Sequence, residues 1–220
     1  FAKVLNAPNW TGIDVEVNGE QLDLHMHRPV EFRRELNMQL GYLERTFAVY
    51  VGEARLEIAA RRFLSMKRDE IGVIRYAIRS VDFSGEIAFT PYIDGNVVNQ
   101  DSNYAEKFWE MENTKAVAGS GYLMARTKKT GFVTCMTMGY EVFLNYDPID
   151  PAVGVIQKPD YIGNQAIWDL HPGDEIVLYK YVSVLSSLNH HPSQMKWMGK
   201  EVLKQAMETG FNRLFEEHAA

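Results

Sequence analysis

Through about residue 186 the chain alternates apolar and polar positions with a period of two, interrupted at short intervals by turn residues. In "IDVEVNGEQLDL", Ile13, Val15 and Val17 alternate with Asp14 and Glu16, and Asn18-Gly19 follows. A two-residue hairpin requires positive φ at its central residues, which Asn-Gly adopts readily. "RTFAVYVGEARLEIAARRFLSM" reads as two strands about Gly52-Glu53, with Leu56 and Ile58 facing opposite to Arg55 and Glu57. "VIRYAIRSV" sets Ile74, Tyr76 and Ile78 against Arg75, Ala77 and Arg79, which predicts one buried and one wet face. Asp82 to Gly85 turns the chain into "EIAFTPYI", where Ile87 and Phe89 share a face. "AVAGSGYLMART" and "GFVTCMTMGYEVFLN" meet at a Lys128-Lys129 tip, and "HPGDE" at 171–175 feeds the strand "IVLYKYVSVLSS". Between them "YDPIDPAVGVIQKPDYIG", with Pro148, Pro151 and Pro159, reads as an ordered surface excursion.

Many short strands separated by turn residues, with little helix between them, predict a mainly β antiparallel sandwich. The period then changes. Val202, Ala206, Gly210 and Leu214 recur every four residues beside Leu203, Met207, Phe211 and Phe215, so an amphipathic helix is expected over 195–218. Gly210 costs up to ~1 kcal/mol inside a helix and marks either a break or a close approach.

Composition narrows the partners. The 220 residues are 46% hydrophobic and 24% charged, as in soluble globular proteins. Lys and Arg total 23 against 29 Asp and Glu, a net charge of -6, and no basic stretch is long enough to track nucleic acid. "RTKKT" at 126–130 is a hairpin tip. The single cysteine, Cys135 in "FVTCMTM", reads as a small buried residue and fits a reducing, cytoplasmic setting. No apolar run reaches the roughly 18 residues of a membrane span, so no membrane partner is expected.

Candidate chemistry is sparse. His25 and His27 lie two apart, on one face of a strand, but no third metal ligand is spaced nearby. His190-His191 precede Pro192 where a helix should begin, and His171 belongs to a turn. "AGSGY" lacks the lysine and helix of a phosphate loop, and no G-x-S-x-G elbow is present. Carboxylates are scattered; Asp94 reads as a turn residue, and Glu106 and Glu110 flank aromatics. No catalytic, cofactor-binding or metal-binding residue emerges. The stretch "YIDGNVVNQDSNYAEKFW", residues 92–109, is longer than a hairpin needs. Its Asn99, Asp101, Asn103, Tyr104 and Trp109 are the candidate sugar-facing or interface residues. In the alternative reading Phe108 and Trp109 are buried and pin the loop, leaving Asn99 to Tyr104 exposed. Tyr161 and Trp168 fall in the second long loop.

"NAPNWTGIDVEVNGEQLDL", "RRELNMQLGYLERTF", "RRFLSM", "DFSGEIAFTPYIDGNVVNQDSNY" and "QAMETGFNRLFEEH" occur in this order with sensible spacing. Together they resemble the N-terminal domain of family-65 glycoside hydrolases, the group containing maltose, trehalose and kojibiose phosphorylases. The resemblance covers nearly the whole chain. It implies a galactose-mutarotase-like β-super-sandwich over 1–188, N-terminally incomplete, and a helical linker over 189–220. The linker would lead towards an (α/α)6 barrel that holds the glutamate general acid and the phosphate site. None of the family's catalytic positions maps onto residues 1–220, so the chain alone is expected to be inactive. The implied role is a scaffold that packs on the barrel, supplies loops near the active-site mouth and contributes to a homodimer. The implied parent cleaves an α-glucosidic disaccharide by phosphorolysis, with inorganic phosphate as co-substrate, or by hydrolysis, and needs no cofactor. Asn37 replaces an acidic residue common in the family, which bears on subgroup alone. Two other readings remain open. A stand-alone sugar-binding module needs an exposed aromatic platform. An aldose-epimerase-like enzyme needs a base and an acid across a cleft, with His171 or His27 the candidate base.

Overall fold

The computed structural model describes residues 4–100 and 106–220. Its first seven strands are β1 (Ile13–Val17), β2 (Glu20–Gln21), β3 (Val30–Asn37), β4 (Tyr42–Val51), β5 (Ala54–Leu64), β6 (Ile71–Ser80) and β7 (Gly85–Asp94). The next seven are β8 (Trp109–Val117), β9 (Ser120–Thr127), β10 (Val133–Leu144), β11 (Asp147–Ile149), β12 (Ala152–Lys158), β13 (Tyr161–Leu170) and β14 (Glu175–Ser186). Helices α1 (Pro192–Thr209) and α2 (Phe211–Ala219) follow. None of the described helices is long and apolar enough to cross a membrane.

Local chemistry explains the hairpins. Asn18 and Gly19 both take positive φ (49° and 78°), so β1 folds back onto β2 as expected. Gly52, at φ 58°, turns β4 into β5. A third tight turn was not visible in the pattern: Asn145 and Tyr146 also adopt positive φ, pairing Leu144 with Asp147. Asn145 stabilises that turn by donating to Asp174 at 2.7 Å and accepting the Glu175 N–H at 2.9 Å. The proline-rich passage is ordered and lies at the surface, but as strands rather than loop. It forms β11, β12 and the start of β13, with Pro148 confined to a three-residue strand paired on one side.

The antiparallel strands assemble into two sheets. The five-stranded sheet has the order β12-β13-β7-β1-β2, and the nine-stranded sheet runs β3-β4-β5-β6-β14-β10-β9-β8 with β11 on β10. Between them lies the sandwich core. One part gathers Val15, Val49, Leu56, Ile78, Phe89 and Leu178, and the other gathers Ile93, Leu123, Met136, Met138, Ile162 and Val182. Each fully buried aliphatic side chain contributes roughly 1.5–3 kcal/mol. This is the predicted antiparallel β-sandwich.

The helices cover the other face of the larger sheet. His191 caps α1, its Nδ1 accepting from the Ser193 N–H, and Pro192 occupies the first turn. Where one helix was expected over 195–218 there are two, because Gly210 takes φ 77° and interrupts the ladder. The interruption lets Phe211, Leu214 and Phe215 pack with Tyr42 and Phe63 of the sheet. Contact is close: a Cβ on Gly199 would sit 2.7 Å from Thr137 Oγ1, and the Ser183 hydroxyl donates to the Gly199 carbonyl at 2.9 Å.

Candidate functional site

The candidate loop begins where β7 ends. Asp94 Oδ1 accepts the Asn96 N–H at 2.8 Å, the local turn its sequence suggested. Asn99 is half-buried and holds a distant segment: its Oδ1 accepts the Asn6 N–H at 3.0 Å and its Nδ2 donates to the Val4 carbonyl at 2.8 Å. Trp109 is 9% exposed, its Nε1–H donates to the Asn6 carbonyl at 2.8 Å, and its ring meets Phe132 edge-on. A ring enclosed in this way has no free face for a sugar. Phe108 packs partly buried against the same core. The two candidates whose positions are described, Asn99 and Trp109, thus come together on the N-terminal segment. Asp101, Asn103 and Tyr104 lie outside the described residues. Tyr161 and Trp168 belong to β13 rather than to a second loop, and Tyr161 stacks on Tyr92 at 5.1 Å.

The most unusual polar group is one that sequence reasoning passed over. Lys180 sits in the apolar strand β14 with no solvent exposure. Its Nζ donates to the carbonyls of Trp10 (2.6 Å), Gly12 (2.8 Å) and Tyr92 (2.6 Å), joining the two sheets through the backbone. Burial pushes its pKa well down, while the Asp14 carboxylate opposes that shift. Asp14 is itself raised by burial, and Lys180 partly restores it. All three ammonium hydrogens are engaged, so Lys180 is a clamp with no donor left for a substrate. The lysine in "LYKYV", the polar intruder in an apolar run, was the available signal.

The histidines serve local structure. His25 and His27 lie in a turn, not on a strand, because Asp23 accepts the His25 N–H at its side chain and the His27 N–H at its carbonyl. His27 then pairs with Glu20 at 2.9 Å, while His171 lies 3.5 Å from Asp174 within its own turn. His190 pairs with Glu70. His218, on α2, accepts the Met66 N–H at Nδ1 and lies 3.1 Å from the Gly41 carbonyl at Nε2, which assigns the neutral tautomer with the proton on Nε2. Burial pushes the Cys135 thiol up to about 11, leaving it unreactive at neutral pH. Among the described residues no cluster of three or more His, Cys, Asp or Glu is placed to hold a metal ion.

Near His218 the surface is apolar. A cleft of about 630 Å³ opens there, with Leu36, Met38, Leu64 and Met66 exposed around it. Exposed apolar patches of this kind mark interaction surfaces or ligand grooves.

Two stacked antiparallel sheets and a helical layer on the larger one define the class: a β-sandwich module. The chain belongs to the family described as Glycosyl hydrolase family 65, N-terminal domain, whose profile matches residues 1–220. It is 32% identical over 219 residues to maltose phosphorylase of Bacillus subtilis (strain 168), covering 99% of this chain and 28% of that protein. It is 25% identical over 232 residues to alpha,alpha-trehalose phosphorylase of Thermoanaerobacter brockii, covering 99% and 29% respectively. The solved structure "Putative kojibiose phosphorylase from human microbiome" superposes with a TM-score of 0.85 at 21% identity, over 97% of this chain and 27% of that one. That likeness shows the fold. The chain spans less than a third of the length of the curated relatives it matches.

Proposed function

We propose that this chain is the non-catalytic sandwich domain of a longer disaccharide phosphorylase that cleaves an α-glucosidic bond with inversion. One observation carries the reading: the whole chain matches an N-terminal domain, yet covers only 28% of a maltose phosphorylase. In the longer protein a single carboxylic acid protonates the glycosidic oxygen while phosphate attacks the anomeric carbon from the opposite face. Phosphate takes the place of the activated water, so the second carboxylate of an inverting hydrolase is not needed. Inorganic phosphate is the co-substrate, and the protein works in the cytoplasm as a homodimer.

The domain's own work is positional. The apolar patch around Met38, Met66 and His218 packs on the catalytic barrel, at the end of the domain where α2 finishes. Lys180 and the Asn6–Trp109 bond keep the two sheets and the N-terminal segment rigid behind that surface. The test is phosphate-dependent release of glucose 1-phosphate from maltose, trehalose and kojibiose, measured on this chain and on a longer parent side by side. Release by the parent alone is the expected result. Release by the 220-residue chain itself would overturn the assignment.

A further inference from the structure

On the inner face of the nine-stranded sheet, beside the start of β1, three arginines converge. Arg34 of β3 stands directly opposite Arg45 of β4. Arg62 of β5 stands opposite Leu43, two residues along β4 and therefore on the same face. Like charges facing each other across a ladder repel, so this arrangement is unfavourable in isolation. Neighbouring arginines on the other face are neutralised, Arg33 by Glu35 and Arg61 by Glu44. Among the described residues Arg34, Arg45 and Arg62 have no ion-pair partner.

The three line a cleft of about 170 Å³ together with Thr11 and Tyr76. Tyr76 is 7% exposed, and its hydroxyl has no hydrogen-bond partner among the described residues. Tyr76 lines the cationic cleft, and its phenol is a donor free to bond an anion there. The Arg45 guanidinium lies 5.5 Å over the Phe47 ring. Burial and the repulsion of Arg45 and Arg34 hold Arg62 below the ordinary guanidinium range.

We propose that Arg34, Arg45, Arg62 and the Tyr76 hydroxyl form a binding site for a phosphoryl group, carried by inorganic phosphate or by a phosphate monoester. The guanidinium fork matches two phosphate oxygens at once, and a doubly charged ion relieves the repulsion among three cations better than a single carboxylate does. Ligand pockets for drug-sized molecules run to about 300–1,000 Å³, so this cleft of about 170 Å³ suits a small tetrahedral anion. The site uses residues of this chain alone and stands apart from the proposed function above.

The test is thermal unfolding of the 220-residue chain in potassium phosphate and in potassium chloride of matched ionic strength, with glucose 1-phosphate as the monoester. A saturable rise in the midpoint with phosphate, absent with chloride, is expected. Arg62→Gln should raise the half-saturating concentration about tenfold and Tyr76→Phe several-fold, while Arg79→Gln, on the opposite face beside Glu57, leaves it unchanged. Equal or tighter binding of the monoester identifies an open site for phosphate esters; binding of inorganic phosphate alone identifies an enclosed one. Coincident phosphate and chloride curves would overturn the proposal, as would an Arg62→Gln chain that half-saturates at the wild-type concentration. Should Arg62→Gln fail to fold, Arg34→Gln, at an exposed position, is read by the same titration and by broadening of the phosphate 31P resonance.

Discussion

The centre and one edge of the nine-stranded sheet share one alternating pattern and have opposite fates. In β10 the first eight residues are all buried, because the five-stranded sheet covers one face and α1 the other. In β3, at the edge, none of the eight residues is buried; Arg33 pairs with Glu35, and the register slips between Val30 and Arg33. A slipped, charged edge resists pairing with another chain. Coverage, not the pattern itself, decides what a residue costs or contributes. At the covered centre most polar side chains are bonded, as Lys180, Ser183 and Thr134 are, and the two buried hydroxyls without a partner among the described residues, Thr137 and Tyr140, both lie on β10. On the edge strand and the two beside it, three arginines without ion-pair partners are tolerated because they line an open cleft.

The sharpest way to break the contrast is to remove the clamp. Lys180→Met removes a donor from three carbonyls, of which that of Gly12 keeps the Tyr92 N–H at 3.2 Å, and should lower stability by about 2–4 kcal/mol in urea unfolding. Arg33→Met on β3 should change it by no more than about 0.5 kcal/mol in the same assay.

Alkaline pH probes the covered part next. Burial raises Tyr76 and Tyr140 to about 12, and Tyr161 and Tyr181 are raised further. A folded-state pKa above the unfolded value means that the native chain holds protons the unfolded chain has lost. Stability is therefore complete below pH 10 and falls as pH rises from 10 through 12, by roughly 2–3 kcal/mol for Tyr76 and again for Tyr140. Tyrosinate absorbance and far-UV circular dichroism should change together across that window. Ionisation of these tyrosines in a chain that stays folded would show the core to be less enclosed than described.

A smaller effect is expected where α1 meets the sheet. Gly199→Ala pushes a methyl against Thr137 Oγ1, and should cost about 1–3 kcal/mol with little change in helix content. The smallest effect belongs to the edge. Arg34→Gln removes one member of a facing like-charge pair and should leave stability unchanged or raise it by up to about 1 kcal/mol, the gain shrinking as salt is added.

Much of the fold was legible in the sequence because strand alternation, tight turns and helix periodicity are local. Asn18-Gly19, Gly52, the alternation in β1 and β5, and the four-residue recurrence after residue 195 all state their geometry within a few positions. Asn145-Tyr146 was missed because its turn has no glycine and relies on Asp174 and Glu175, about 30 residues on. The candidate site was less legible. The sequence favoured a buried anchor over a sugar platform for Trp109, and the bond that fixes it is to Asn6, 103 residues away.

Sequence alone thus determined which residues share a strand face, where the hairpins turn and where the strands give way to helix, since each depends on backbone preferences over a few residues. Only the tertiary structure decided what covers each face: that Lys180 meets three carbonyls, and that Arg34, Arg45 and Arg62 stand together. Register and layer packing join residues far apart in the chain, and period-two alternation is the same whether the opposing layer is a sheet, a helix or water.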